Sequence, residues 1–213
     1  MTVVFISDLH LDDSRPSATK HFLKLLNELK SSKIDKLYIL GDLLEYWVGD
    51  DDPSGCAKEC FQSLKEASGY FDIYMMHGNR DFLLSDNFIK TYKITLIKDP
   101  TLVTINRKKI ILMHGDTLCT DDKEYQKFRN TVRNTTWQQQ ILKKSLLERL
   151  ELASKLRSES KLETELKDEF IMDVNNQEVE NIFLNFDADE MIHGHTHRPN
   201  IHQIKIKNKY VRR

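Results

Sequence analysis

The sequence predicts a layered α/β fold carrying an all-helical insertion, and three observations predict it. Short β-branched runs alternate with amphipathic stretches through the first two-thirds of the chain, the pattern of strands and helices stacked in layers. From about Lys123 to Glu169 there is no Gly, no Pro and no strand-like run. The 213 residues exceed one ordinary domain and fall short of two, which favours a single domain, 1–213, with a substantial insertion at about 123–170.

The predicted strands are Thr2–Ser7, Lys36–Leu40, Asp72–His77, Leu102–Ile105, Lys109–His114, Glu190–His193 and His202–Ile206. Between the first two, Phe22, Leu25, Leu26 and Leu29 keep the i, i+3, i+4, i+7 spacing of a helix covering a sheet. A second helix holds Phe61 and Leu64. Cys56 and Cys60, four apart, read as thiols of that helix's buried face rather than as a metal clip. With Cys119 they make an odd, sparse set that suits free thiols in a reducing compartment. His202, Ile204 and Ile206 alternate with polar residues like an edge strand, so a further partner strand is expected.

Hydrophobic residues make up 39% and charged residues 31%, enough for a core and against disorder. Lys+Arg at 32 against Asp+Glu at 33 leaves a net charge of -1, so no global basic field marks a nucleic-acid binder. No apolar run approaches the roughly 20 residues of a membrane span, and Asp8 and His10 interrupt any signal peptide. The insertion is locally basic: Lys127, Arg129, Arg133, Lys143, Lys144, Arg149, Lys155 and Arg157 face only Glu148 and Glu151 between 127 and 157. Trp137, Ile141, Leu142, Leu146, Leu147, Leu150, Leu152 and Leu156 lie on the same stretch. It reads either as a hairpin packed on its own core or as a cover for a lipid-like ligand or membrane surface.

Glycine placement carries the chemistry. Gly41 precedes Asp42, Gly78 precedes Asn79, Gly115 follows His114 and Gly194 precedes His195, each at the end of a predicted strand. A small residue there permits a tight turn and close approach of the backbone to a bound group. Strands running in one direction bring their carboxyl ends to one edge, so Asp8, His10, Asp42, Asn79, His114, His195 and His197 converge. Seven donors are too many for one ion with open positions and suit two ions sharing a carboxylate. Oxygen and imidazole donors without thiolate favour Mn, Fe or Zn in a catalytic site.

The ordered motifs DLH (8–10), GD (41–42), GNR (78–80), HGD (114–116) and GHTH (194–197) resemble those of the calcineurin-like metallophosphoesterases. ILGDLLEYWVGDDDP (39–53), HGNRDFLL (77–84), MHGDTLCTDD (113–122), IMDVN (171–175) and IHGHTHRP (192–199) narrow the resemblance to the bacterial UDP-2,3-diacylglucosamine diphosphatases of lipid A synthesis. It extends over essentially the whole chain.

The resemblance implies a β-sandwich flanked by helices, with Asp8, His10 and His197 on one Mn²⁺, Asn79, His114 and His195 on a second, and Asp42 bridging both. It implies substrate contacts at Asn79, Arg80, Asp122, Ser160, Lys167 and His195. At 164 the family's Asn is Thr164 here, which keeps a hydroxyl and loses the amide. It also implies a longer C-terminal end than Arg213 provides, a helical lid over two acyl chains, and peripheral attachment to the cytoplasmic face of the inner membrane. UDP-2,3-diacylglucosamine is then the partner molecule, with no nucleic acid and no obligate protein partner.

Two divalent ions activate water at neutral pH and offset charge on phosphoryl oxygens, so no side-chain nucleophile is required. Many relatives carry His after Gly-Asn, where this chain has Arg80. A guanidinium cannot act as a general acid but can clamp phosphate oxygens in a fork. Pairing with Asp81 is the structural alternative for Arg80. A phosphate leaving group needs less proton assistance than an alkoxide, so diphosphate cleavage is favoured over alkyl monoester hydrolysis. The competing readings are a phosphodiesterase or nuclease on the same scaffold and a non-catalytic binding module.

Overall fold

A computed structural model describes residues 1–52, 55–166, 171–207 and 209–213, with the side chains of 161–166 outside that description. Strands β1 (Val3–Ile6), β2 (Lys36–Ile39), β3 (Asp72–Met75) and the two-residue β4 (Thr95–Leu96) form a parallel sheet in that order. A second sheet runs β5 (Thr101–Ile105), β6 (Lys108–Met113), β7 (Glu190–His193), β9 (Lys209–Arg212), β8 (Gln203–Ile206). In it β6, β7 and β9 are parallel, while β5 and β8 pair antiparallel with their neighbours.

The alternation of side chains explains why the strands read as continuous apolar runs. Leu37, Ile39, Ile73 and Met75 point toward helices α1 (Pro16–Ser31) and α2 (Gly55–Ala67). Tyr38, Leu40 and Met76 point the other way and meet Ile105, Ile110 and Leu112 of the second sheet. On the far side, Ile111 and Met113 pack with Val179 and Phe183 of α7 (Asn176–Phe186). Helix, sheet, sheet, helix is the layer order, and strands buried on both faces carry no polar alternation. Cys56 and Cys60 are buried in the face of α2, with the Cys56 thiol 3.2 Å from Thr19 Oγ1, as core thiols should be.

Beyond the predicted elements stand β4, β9, α3 (Asp86–Thr91) and α7. The two helices announce themselves by their caps: Ser85 accepts from Phe88 N and Asn175 from Glu178 N. Strand β9 is the partner that the edge-like alternation of 202–206 called for, and it lies between β7 and β8.

Between the sheets' main strands, α4 (Lys123–Val132), α5 (Thr135–Leu142) and α6 (Leu146–Leu166) follow one another with short joints. Asp122 caps α4 by accepting from Tyr125 N at 3.0 Å. Asn134 caps α5. At α6, Ser145 Oγ accepts from Glu148 N while Glu148 accepts from Ser145 N at 2.9 Å, a reciprocal capping box. No helix among the described residues is long and apolar enough to cross a membrane.

The insertion's charges divide by chemistry. Arg129 Nε reaches Asp116 at 2.7 Å, and Arg133 donates to the Gly78 carbonyl at 2.7 Å. Arg149, 3% exposed, forks onto Asp51 and donates to the Val48 carbonyl. Arg157 stands 3.1 Å from Glu45. Lys127, Lys143, Lys144 and Lys155 are exposed. Of the eight basic residues of this stretch, the four arginines reach back to the body of the protein and the four lysines are exposed.

Candidate functional site

The carboxyl ends of β1, β2 and β3 in one sheet and of β6 and β7 in the other open onto the same place, and backbone bonds hold their loops together. Asp8 N donates to the Gly41 carbonyl at 3.1 Å, His10 N to the Asp42 carbonyl at 3.0 Å, and Gly194 N to the His114 carbonyl at 2.8 Å. Across the sheets, His195 N donates to Asp8 Oδ2 at 2.9 Å, and the His114 ring Nδ1 donates to the Leu40 carbonyl at 2.9 Å. All seven donors expected from sequence are gathered there.

The loops are built around missing side chains. A Cβ on Gly78 would collide with the Asp42 carboxylate and its backbone N, and one on Gly194 with the Asp8 carboxylate. Asp81, fully buried, accepts from Leu43 N at 2.9 Å and from Gly78 N at 2.8 Å, bracketing the loops that carry Asp42 and Asn79. Its oxygens are thus engaged with backbone, not with Arg80. Five of the seven donors, Asp8, His10, Asp42, His195 and His197, adopt positive φ between 49° and 71°. Outside glycine that conformation costs roughly 1–3 kcal/mol per residue and persists where surrounding structure imposes it, commonly at functional sites.

Two groups of donors emerge. Asp8, His10 and His197 bring one ligand atom each within 4.8 Å of one another, and so do Asp8, Asp42 and His114. His10 Nε2 and His197 Nε2 face each other at 3.1 Å. Asn79 Oδ1 lies 2.9 Å from both His114 Nε2 and His195 Nδ1. Asp42 Oδ2 is 3.8 Å from His10 Nε2 and 3.9 Å from His114 Nε2.

The proton count decides what fits. His114 gives its Nδ1 hydrogen to a carbonyl, so a neutral ring presents a lone pair from Nε2, which accepts from Asn79 N at 3.3 Å and also faces the Asn79 amide oxygen, itself an acceptor. Asp8 Oδ1 is buried with no hydrogen-bond partner among the described residues. Acceptors converging on acceptors fit a cation, and the oxygen and imidazole set fits a first-row divalent ion.

Electrostatics agree. Burial pushes Asp42 up to about 7, with Asp81 adding to the rise and His114 and His10 opposing it. His114 is raised although burial works against it, because Asp42, Asp116 and Asp8 surround it. Burial and the neighbouring His114 hold His195 down at about 3, keeping that ring neutral. Deprotonation of the Asp42 carboxyl is therefore part of what cation binding requires. We expect Mn²⁺ binding to tighten as pH rises through about 7 and to release protons. Calorimetric titration in two buffers of different ionisation heat measures the release, and a pH-independent affinity between 6 and 8 would contradict it.

Of the other expected site residues, Arg80 is next to the ligands: its N donates to Asp42 Oδ1 at 2.8 Å, and its guanidinium Nε has no hydrogen-bond partner among the described residues. Asp122 caps α4 at the base of the insertion. Ser160 is exposed on α6. Lys167 and the side chain of Thr164 lie outside the described residues.

Sequence reasoning missed Glu45, whose Oε2 is 3.0 Å from His10 Nδ1. It also missed Asp116, held to about 2 against burial by His114 and Arg129, and Tyr125, whose hydroxyl reaches Asp116 at 3.1 Å and whose ring lies 5.6 Å from that of His195. For Glu45 the available signal was an acid inside the apolar run Leu43-Leu44-Glu45-Tyr46-Trp47.

A model of the calcineurin-like phosphoesterases matches residues 1–199. The chain is also 42% identical over 214 residues to UDP-2,3-diacylglucosamine hydrolase of Chromohalobacter salexigens, covering 100% of this chain and 87% of that protein. It is 43% identical over 210 residues to the protein of that name from Proteus mirabilis, covering 98% and 87%. The Pseudomonas aeruginosa protein of that name is 42% identical over 216 residues, with 100% and 89% covered.

Proposed function

This chain belongs to the calcineurin-like phosphoesterases and, within them, to the UDP-2,3-diacylglucosamine hydrolase family; from that premise we propose that it hydrolyses the diphosphate of UDP-2,3-diacylglucosamine. Water attacks the α-phosphorus, giving UMP and 2,3-diacylglucosamine 1-phosphate. The observation that carries the metal-dependent reading is the single oxygen Asp42 Oδ2, facing His10 on one side and His114 on the other at nearly equal distance. Asp8, His10 and His197 would hold one Mn²⁺, Asn79, His114 and His195 another, with Asp42 shared. When bound, such ions supply activated water and Lewis-acid stabilisation of the phosphoryl oxygens.

The chain's own groups do the rest. Arg80 clamps phosphate oxygens and cannot protonate a leaving group, which matches departure of a phosphate. Neutral His195 and Asn79 border the phosphoryl position. Asp122, Ser160, Thr164 and Lys167 are the proposed contacts to the remainder of the substrate, and the insertion covers its acyl chains. Leu142, Leu147 and Phe128 are more than 40% exposed. With the outward lysines they support peripheral attachment to the anionic cytoplasmic face of the inner membrane.

The test is product identification by mass spectrometry with UDP-2,3-diacylglucosamine in nonionic detergent, in water enriched in heavy oxygen, with Mn²⁺ or with chelator. Metal-dependent release of labelled UMP is expected. Cleavage of simple phosphodiesters with the lipid left intact would replace this reading by a generic phosphodiesterase. On the same assay, Arg80→Ala should lower kcat/KM about 10²-fold with Mn²⁺ content unchanged, and Arg80→Lys should recover only part of it. Equal activity of all three proteins would remove Arg80 from the site.

A further inference from the structure

Glu45 stands between the metal centre and the inserted helices, touching both. Its backbone is registered on the loop that carries His10: Leu11 N donates to the Leu43 carbonyl at 2.9 Å and Glu45 N to the Leu11 carbonyl at 3.0 Å, continuing the β1–β2 pairing beyond the strands. From that fixed frame its nearly buried carboxylate points one oxygen, Oε2, at His10 Nδ1 (3.0 Å). The other, Oε1, lies 3.1 Å from Arg157 Nε on α6.

At 3.0 Å, and without the alignment of a full hydrogen bond, the carboxylate favours the imidazole hydrogen on Nδ1 and so leaves the Nε2 lone pair for the converging ligand set. Arg157 adds, after His10 and Arg80, to the positive charge beside this carboxylate so close to the core. Among the described residues, the two oxygens of this one side chain join Arg157 of α6 to His10 of the ligand set.

We propose that Glu45 is a positioning residue that fixes His10 for ion binding and, beside the Arg149–Asp51 fork, helps dock α6 through Arg157, so that one of the two metal positions and the C-terminal part of α6 are tied to the same carboxylate. This deepens the reading above and rests on it only for the presence of divalent ions at the Asp8, His10 and His197 set. Nothing in the carboxylate's role touches the reacting atoms. Its signature is in metal affinity and helix docking rather than in chemistry.

The experiment titrates metal-free protein with Mn²⁺, following free ion by electron paramagnetic resonance, and measures the rate of tryptic cleavage after Lys155, a site that every variant keeps. Glu45→Ala should loosen one of two Mn²⁺ by about 10–100-fold and leave the other unchanged, while speeding cleavage of α6. Glu45→Gln, whose neutral amide oxygen can still face Nδ1, should recover part of the affinity without restoring protection. Arg157→Ala should speed cleavage and keep wild-type affinity for both ions.

Wild-type affinity at both positions in Glu45→Ala overturns the proposal. If that variant does not fold, wild-type affinity and cleavage in Glu45→Gln overturn it instead. Because no substrate is present, a protein that shows these effects yet leaves UDP-2,3-diacylglucosamine intact would sink the substrate reading alone. A wild type that binds no Mn²⁺ would sink both.

Discussion

Asp42→Asn should lose activity by on the order of 10³-fold or more while making the metal-free protein more stable. The carboxylate is 2% exposed and burial holds it up near 7. A carboxyl whose folded-state value is raised binds its proton more tightly folded than unfolded, so metal-free stability declines as pH rises from the ordinary carboxylate range toward 7. Asparagine removes that penalty, worth a few kcal/mol at most because His114 shares the charge. It also keeps the acceptor for Arg80 N and tolerates the left-handed backbone at 42.

Loaded protein should behave oppositely. A ligand at a hundred times its Kd adds about 2.7 kcal/mol to the stability of the state that binds it, and Asp42→Asn should forfeit most of that gain. Melting curves at pH 7.5 with and without Mn²⁺ separate the two effects. A variant that melts lower than wild type without metal would contradict the account.

Gly78→Ala should be nearly as severe, although it adds one methyl group and replaces no ligand residue. The methyl would occupy the space of the Asp42 carboxylate and backbone N, and Asp81 holds both loops from behind, so neither can retreat. Overpacking of this kind costs roughly 1–3 kcal/mol. Displacing the shared ligand by even an ångström should cost about 10²-fold or more in kcat. Activity with Mn²⁺ and denaturant midpoints measure the two losses. Wild-type kcat in a folded Gly78→Ala protein would mean that the loops yield, and that Asp42 is not fixed as described.

The ligand set was legible because chemistry at strand ends leaves local marks: an Asp or His beside a Gly, repeated at each strand's carboxyl end. The strands were legible for a similar reason, since burial on both faces leaves apolar runs of four or five. What could not be read is whatever depends on partners far apart in the chain. Arg149 meets Asp51 across 98 positions, and Arg157 meets Glu45 across a similar gap. In one dimension such arginines add to a basic stretch; in three they are ties. The division into inward arginines and outward lysines was available in principle from the chemistry of the two cations. Strand β9 was expected only as a partner without a place in the chain, because Asn208-Lys209 punctuation and four mixed residues carry no period long enough to register.

The left-handed ligands also limit what this site can become. At 8, 10, 42, 195 and 197 the backbone itself favours Gly, Asn or Asp over any branched or bulky residue. A lineage released from catalysis would therefore not drift freely at these five positions. Its first tolerated changes would be to Gly and Asn, relieving strain while the loops keep their shape. A silent descendant should be recognisable by that spelling, with the layered core intact around a disarmed edge.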